Sequence, residues 1–309
     1  MELIRGSALG QQGDCVVTIG SFDGIHLGHR ALIERLLWHG RRLALPTRLL
    51  TFEPLPREFL QPHDPPARLT NLRERWHLLL DTGVERLWLL RFDAALRRSS
   101  GVQFMQLLAA AHARVVVVGH DFRFGHRGEA SADWCAAHAE RFGFTVDVVA
   151  PVQVNGERVS SGRVRTALET GDFAAARRWL GRAYAMCGRV RAGDRLGRTL
   201  GFPTANIAVK RRRVPLSGVF AVRVTGVPGA AGALPGVANL GTRPMLGGRQ
   251  MLLEAHLFDF DGDLYGRELS VEFVTRLRDE LTFASMEAMV AQMRRDAAQA
   301  RGILGAIAR

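Results

Sequence analysis

The sequence predicts a two-part molecule. Residues 1–183 read as an α/β domain doubly wound on a parallel sheet, and residues 184–309 as a small β-domain, barrel or sandwich, with a C-terminal helix. Three observations carry this. Apolar β-branched runs alternate with helix-period stretches as far as Gly181. Val115-Val-Val-Val118 is hydrophobic on both faces, as an inner parallel strand is. After Tyr184 the helical patterns give way to short β-like runs punctuated by glycine and proline. A chain of 309 residues is long enough for two cores.

In chain order, Val16-Val-Thr-Ile19 is the first strand, and Gly20-Ser-Phe-Asp-Gly-Ile-His-Leu-Gly-His29 is a glycine-bearing turn into a helix. A helix start carries unpaired N–H groups at the positive end of its dipole, so this turn is an anion site. His26 and His29, three apart, share one side of the first helical turn and can donate to phosphate oxygens. An isolated His-x-x-His is more often a solvated pair. Here strand, glycine turn, histidines and helix start follow in the order an α-phosphate site needs. Gly28 keeps a side chain from standing between the rings.

Residues 48–53 form a second strand ending at Pro54, 71–80 a helix, 86–90 a buried strand and 101–113 another helix. The valine strand leads into Gly119-His-Asp-Phe-Arg-Phe-Gly125, a loop whose Asp121, Phe122 and Phe124 could line a planar ring and bond its edge. An isolated aromatic pair more commonly caps a core. Residues 131–142 read as a helix and 144–149 as a strand. Both the His26 turn and the Asp121 loop fall at C-terminal strand ends, where doubly wound domains bind ligands. Arg158-Val-Ser-Ser-Gly-Arg-Val-Arg165 opens a helix that Ser160 or Ser161 caps, with Arg163 and Arg165 able to fork onto phosphates. Residues 172–180 are a further helix.

In the second part, β-like runs fall at 220–225, 236–240, 251–257 and 269–274. A terminal helix over 285–301 has Met286, Met289, Val290 and Met293 in its apolar stripe. Gly197-Arg-Thr-Leu-Gly-Phe-Pro-Thr-Ala-Asn206 joins glycines for close backbone approach to Thr204 and Asn206, hard oxygen ligands of the kind Mg²⁺ prefers. No Gly-Lys-Ser/Thr follows, so it is not a P-loop. Glu254 stands in a strand run; a carboxylate there could take the proton of an alcohol attacking a γ-phosphate, although most lone strand glutamates merely face water.

The composition excludes several classes. A hydrophobic fraction of 47% belongs to a soluble globular chain, no run approaches the roughly 18 apolar residues of a membrane span, and Met1-Glu-Leu-Ile-Arg5 is no secretory signal. Cys15, Cys135 and Cys187 are odd in number and widely spaced, which indicates thiols in a reducing, cytoplasmic setting. The net charge of +12 attracts nucleic acid and nucleotide phosphates alike. Its basic residues are arginines apart from Lys210, a compositional bias, and Lys210-Arg-Arg-Arg213 reads as a solvated loop.

Residues 20–29 resemble the signature of HxGH nucleotidyltransferases. With Phe22-Asp-Gly24 they resemble the bacterial bifunctional FAD synthetases, which join a riboflavin kinase to an FMN adenylyltransferase. Residues 119–125 are similar to the flavin-nucleotide loop of that family, and 158–165 to the second nucleotidyltransferase motif, with Gly162 where a hydroxyl residue is usual. Leu55 stands where the family often has histidine, and the loop after Gly125 is a residue short. Residues 197–206, 237–244, the surroundings of Glu254 and 278–285 resemble riboflavin kinases, whose fold implies a barrel.

The resemblance implies a cytoplasmic enzyme that phosphorylates riboflavin to FMN and then adenylylates FMN to FAD, with ATP as co-substrate and Mg²⁺ as cofactor. It implies Glu254, His26 and His29 as catalytic residues, and Gly20, Phe22, Asp23, Gly28, Ser160, Ser161, Arg163, Arg165, Gly197, Thr204 and Asn206 as ATP ligands. Thr204 and Asn206 would also hold the metal, and Asp121, Phe122, Phe124 and Arg158 the flavin. No nucleic acid or membrane partner is expected, and the chain is expected to be a monomer or weak homo-oligomer. The alternatives are a riboflavin kinase with an impaired adenylyltransferase half and an RNA-binding or regulatory flavoprotein.

Overall fold

The computed structural model describes residues 1–6, 13–193, 197, 200–245 and 248–307, without the side chains of 242–250 and 307. The chain divides into two compact units, Met1–Pro66 with Leu72–Ser161, and Ala67–Asn71 with Gly162–Arg309. Residues 67–71 and 162–183 thus pack with the second unit, although the sequence reading groups them with the first domain.

The first unit runs β1 (Glu2–Arg5), β2 (Cys15–Ile19), α1 (Leu27–Leu43), β3 (Thr47–Glu53), α2 (Pro56–Leu60), α3 (Leu72–Leu80), β4 (Arg86–Arg91), α4 (Ala94–Arg98), α5 (Gly101–Ala110) and β5 (Ala113–Gly119). There follow β6 (Arg123–Phe124), β7 (Ala130–Ser131), α6 (Ala132–His138), β8 (Thr145–Val149), β9 (Gln153–Val154) and β10 (Glu157–Arg158). Six strands form one sheet in the order β1-β4-β3-β2-β5-β8, and every pair in it is parallel. Successive residues alternate between two cores. Val17, Ile19, Val116 and Val118 face Phe104, Met105 and Leu108 of α5, while Val16, Val115 and Val117 face Leu32, Ile33 and Leu36 of α1. Burial on both faces is why these strands read as unbroken apolar runs.

The chain leaves β2 toward β3 and leaves β5 toward β8, on the opposite side of the sheet. The crevice beyond the C-terminal ends of β2 and β5 is therefore the topological switch point. The turn at 20–26 and the loop at 119–122 both open there. β1 was not expected. As an edge strand of four residues it offers too short a pattern to read.

The second unit contains α7 (Ser161–Glu169, whose first residue groups with the first unit), α8 (Phe173–Leu180), β11 (Ala185–Arg191), β12 (Ala205–Ala208), β13 (Gly218–Thr225), β14 (Leu234–Met245), β15 (Gly248–Leu257), β16 (Glu268–Arg278) and α9 (Met286–Ile307). Its strands close a barrel in the order β11-β12-β15-β14-β13-β16, antiparallel throughout. This resolves barrel against sandwich. Fully buried Phe220 and Phe273 meet edge to face with ring centres 5.1 Å apart. Ala300 and Leu304 of α9 pack with Ala221 and Phe258, so the terminal helix is longer than the 285–301 expected.

β11 and β12 were not expected, since Gly188 interrupts the pattern of β11 and β12 has only four residues. Residues 131–142 divide into α6 and a 3₁₀ turn, Ala139–Phe142. Among the described residues no helix is long and apolar enough to cross a membrane.

Candidate active sites

In the first unit, β2 ends at Ile19 and the chain turns sharply before α1. Gly24 has φ +87°, but Phe22 (+48°) and Ile25 (+40°) also adopt left-handed backbone, which for bulky and β-branched residues costs of order 1–3 kcal/mol each. The surroundings hold this turn. Thr51 Oγ1 donates to Ser21 O at 3.2 Å and Arg75 Nη1 donates to the same carbonyl at 3.0 Å. Arg75 is almost wholly buried, and its Nη2 pairs with Glu53 at 2.7 Å.

His26 caps α1: its Nδ1 accepts from the backbone N–H of His29 at 3.2 Å. An accepting Nδ1 carries no proton, so the ring N–H is on Nε2, the nitrogen left able to donate. His29 stacks on His26 with ring centres 3.7 Å apart and 12° between planes, and Phe22 tilts against His29 at 5.1 Å. A Cβ on Gly28 would lie 3.1 Å from the His26 ring. Gly28 thus admits the cap as well as leaving the loop open. Gly20 carries the Phe22 ring 3.2 Å from where its own Cβ would stand. Asp23 is buried, and its carbonyl accepts from Ser161 Oγ at 2.9 Å; Ser160 precedes α7. This bond ties the start of the second motif to the first.

At the end of β5, Phe122 N–H donates to Gly119 O at 2.9 Å, closing a turn that presents Asp121. Arg158 and Asp121 form an ion pair, so two of the expected flavin residues lie side by side. Phe124, at 7% exposure, packs among Phe104 and Trp134. Half-buried Phe122 stacks on it at 5.3 Å. Phe122 is the aromatic with an exposed surface, and Phe124 is its support in the core.

Arg163 and Arg165 belong to the second unit. Arg163 lies over the Trp179 ring at 5.8 Å, and Arg165 Nε donates to Ala67 O at 2.5 Å.

The second site stands on strands. Asn206 of β12 is opposite Glu254 of β15, which is opposite Asn239 of β14. Directly opposed residues point the same way with Cβ atoms about 5 Å apart, so two amides flank the carboxylate in one row. Their chain neighbours Ala205, Ile207, Leu253, Ala255, Ala238 and Leu240 are buried, while all three members of the row are half-exposed. A Cβ on Gly197 would meet Thr204 Oγ1 at 3.3 Å, and one on Gly193 would collide with the Asn206 amide. Close backbone approach is thus required at both glycines. Arg198 and Thr199, and the side chains of Thr242 and Arg243, lie outside the described residues.

Beside this row is a cavity of about 330 Å³ with Thr204, Asn239, Glu254 and His256 among its polar groups and Leu200, Phe202 and Val237 among its apolar walls. Phe283 and, from α9, Met289 and Met293 complete it. The methionine stripe therefore does more than pack the helix onto the barrel. α9 is anchored at the cavity by Asp296, which receives Arg278 Nε at 3.0 Å and Nη2 at 2.7 Å, and Gln292 Nε2 at 2.8 Å. Asn239, Arg278, Met289 and Met293 were not anticipated as site residues. The quoted runs 237–244 and 278–285 contained the first two, but only the closed barrel brings them to Glu254.

The family model for FAD synthetase matches residues 9–163, and that for riboflavin kinase residues 180–304. The bifunctional riboflavin kinase/FMN adenylyltransferase of Escherichia coli K12 is 42% identical over 311 residues, covering 99% of this chain and 98% of its own. The chain belongs to the bifunctional riboflavin kinase/FMN adenylyltransferase family. Bifunctional relatives from Pseudomonas fluorescens (42% identical; 98% of each chain) and Haemophilus influenzae (37%; 97% and 98%) match it end to end as well. A solved structure described as a macrolide-efflux protein from Streptococcus pneumoniae has a TM-score of 0.80 at 30% identity, covering 96% of this chain and 97% of that one. The parallel-sheet unit carries the FAD synthetase match and the barrel the riboflavin kinase match.

Proposed function

We propose that the two sites carry out successive steps: the barrel phosphorylates riboflavin with ATP, and the parallel-sheet domain adenylylates the resulting FMN to FAD with release of pyrophosphate. Both domain matches and the full-length bifunctional relatives support this pair of reactions. The observation that carries the residue assignment is the row Asn206–Glu254–Asn239 beside an apolar cavity. A flavin ring suits the walls formed by Phe202, Phe283, Met289 and Met293, and Glu254 takes the proton from the ribityl 5′-hydroxyl as its oxygen attacks the γ-phosphorus and ADP leaves.

Thr204 and Asn206 offer a hydroxyl and an amide oxygen, the hard donors Mg²⁺ accepts, in a cradle that a Cβ at Gly193 or Gly197 would fill. The donor set fits a metal shared with the nucleotide. Among the described residues no cluster of three or more His, Cys, Asp or Glu could hold a metal by itself. Mg²⁺ bound there would neutralise charge on the transferred phosphoryl group.

For adenylylation, a phosphate oxygen of FMN attacks the α-phosphorus of a second ATP and pyrophosphate leaves. His26 through Nε2, His29 and the amides at the start of α1 stabilise the charge, with Gly20, Phe22, Asp23 and Gly28 shaping the turn. Asp121, Phe122 and Arg158 hold the flavin nucleotide, supported by Phe124. The roles of Ser160, Ser161, Arg163 and Arg165 on the triphosphate rest on their motif. In this reading the functional boundary lies near residue 183, and the enzyme is cytoplasmic, monomeric or weakly self-associating, without nucleic acid or membrane partners.

Chromatography of riboflavin, ATP and Mg²⁺ incubated with the purified chain tests the assignment. Wild type makes FMN and then FAD, Glu254→Ala makes FAD only from supplied FMN, and His29→Ala stops at FMN. Accumulation of FMN alone by wild type would overturn the adenylyl-site assignment, and flavin left unchanged would overturn both.

A further inference from the structure

We infer that His256 is a positioning residue for phosphoryl transfer, holding the carbonyl that precedes Thr204 and thereby aiming Thr204 and Asn206 at the nucleotide. The inference rests on the assignment of those two residues to Mg-ATP.

His256 follows Glu254 by two positions on β15, so its side chain leaves the same face of the strand. The ladder between β12 and β15 pairs Asn206 with Glu254 and Ala205 with Ala255. One step further along that register sets Thr204 opposite His256, just where the described pairing stops. Pro203 has no N–H, so it cannot add a donor to a ladder. What holds its carbonyl is a side chain: His256 Nδ1 lies 2.8 Å from Pro203 O. A carbonyl only accepts, so Nδ1 is the protonated nitrogen of this imidazole.

The ring is fixed on its other sides as well. It meets Phe202 at 5.2 Å and 62°, and Phe258 at 5.9 Å and 71°. Phe202 in turn donates its N–H to Gly197 O at 2.8 Å. One imidazole therefore grips two consecutive residues, Phe202 and Pro203, immediately before the proposed ligand Thr204. It also stands on the strand that carries the proposed base. Both halves of the phosphoryl-transfer geometry are referred to the same short stretch of β15, which suits a reaction sensitive to small displacements of the reacting groups.

Riboflavin phosphorylation by the full chain is measured for His256→Asn, His256→Gln, His256→Leu and Thr204→Val. Adenylylation of supplied FMN is followed in the same preparations. Asparagine places an N–H near the position of Nδ1, whereas glutamine carries it one bond further and leucine has none. The expected result is a rise of about 5- to 10-fold in the KM for Mg-ATP for His256→Leu and His256→Gln, and restoration to within about two-fold by His256→Asn. Adenylylation of supplied FMN stays at the wild-type rate for all three His256 variants.

If His256→Asn behaves as His256→Leu does, or if the His256 variants lower the thermal midpoint without moving the KM, the inference is overturned. A raised KM in Thr204→Val with unmoved His256 variants overturns the inference alone. An unmoved KM in Thr204→Val overturns the ligand assignment and the inference with it.

Discussion

The two units build their candidate phosphate sites in different ways. In the parallel-sheet unit the machinery lies beyond the strands: a turn with left-handed Phe22 and Ile25, a helix start, and two histidines stacked 3.7 Å apart. In the barrel it stands on the strands, where ladder register sets Asn206, Glu254 and Asn239 side by side. In the proposed reading the first arrangement would bind an anion through backbone and need no base, as adenylyl transfer to an existing phosphate does not. The second would deliver a carboxylate to an alcohol that has a proton to lose. A parallel sheet covered by helices exposes its strand ends. An antiparallel barrel strand can bury one face and leave the other for chemistry.

The sharpest way to break this contrast is Glu254→Gln. It should lower kcat for riboflavin phosphorylation by about 10²- to 10⁴-fold while FAD formation from supplied FMN persists; comparable losses in both reactions would mean that the sites are not separate.

Gly28→Ala is the converse test. Its methyl carbon would stand 3.1 Å from His26 Cε1, and displacement of that ring should cost about 10- to 100-fold in FAD formation with FMN formation intact. Full adenylylation activity in this variant would separate the helix cap from the chemistry.

Smaller effects concern stability of the first unit. Burial raises the Asp147 carboxyl, but hydrogen bonds from His39 and Arg35 outweigh it and hold it below the usual value of 3.8. Such a group stabilises the fold above its ordinary value and loses that contribution as pH falls through the lowered one. In chemical denaturation the advantage of wild type over Asp147→Asn should therefore be steady at neutral pH and shrink below 3.8. A constant difference would remove Asp147 from the acid response.

The smallest readout is thiol reactivity. Burial pushes Cys15 and Cys135 in the parallel-sheet unit up to about 11, whereas Cys187 in the barrel unit is half-buried. An aromatic disulfide reagent at pH 8 should label Cys187 first, read by peptide mapping. Equal rates at all three would contradict the packing.

Legibility in the sequence followed the range of the interactions. Residues 20–29 could be read because strand, turn and capped helix are contiguous, and so could the valine run. Phe122 and Phe124 could be named but not told apart, since which ring is core depends on Phe104 and Trp134 from distant helices. Thr204 and Glu254 were recognisable only in their motifs. Asn239 and the grip of His256 on Pro203 had no local signal, because both come from strand pairing.

The amino-acid sequence by itself determined the order of sheet and barrel, the doubly wound sheet, the turn from β2 into α1 and the family, because each is written in contiguous patterns of polarity and glycine. The tertiary structure alone decided the closure of the barrel, the row Asn206–Glu254–Asn239, the cavity under Met289 and Met293, and the grouping of residues 67–71 with the second unit. Side-chain periodicity tells which face of a strand is apolar. It does not tell which residue stands opposite, because that register is settled by non-local hydrogen bonds and packing.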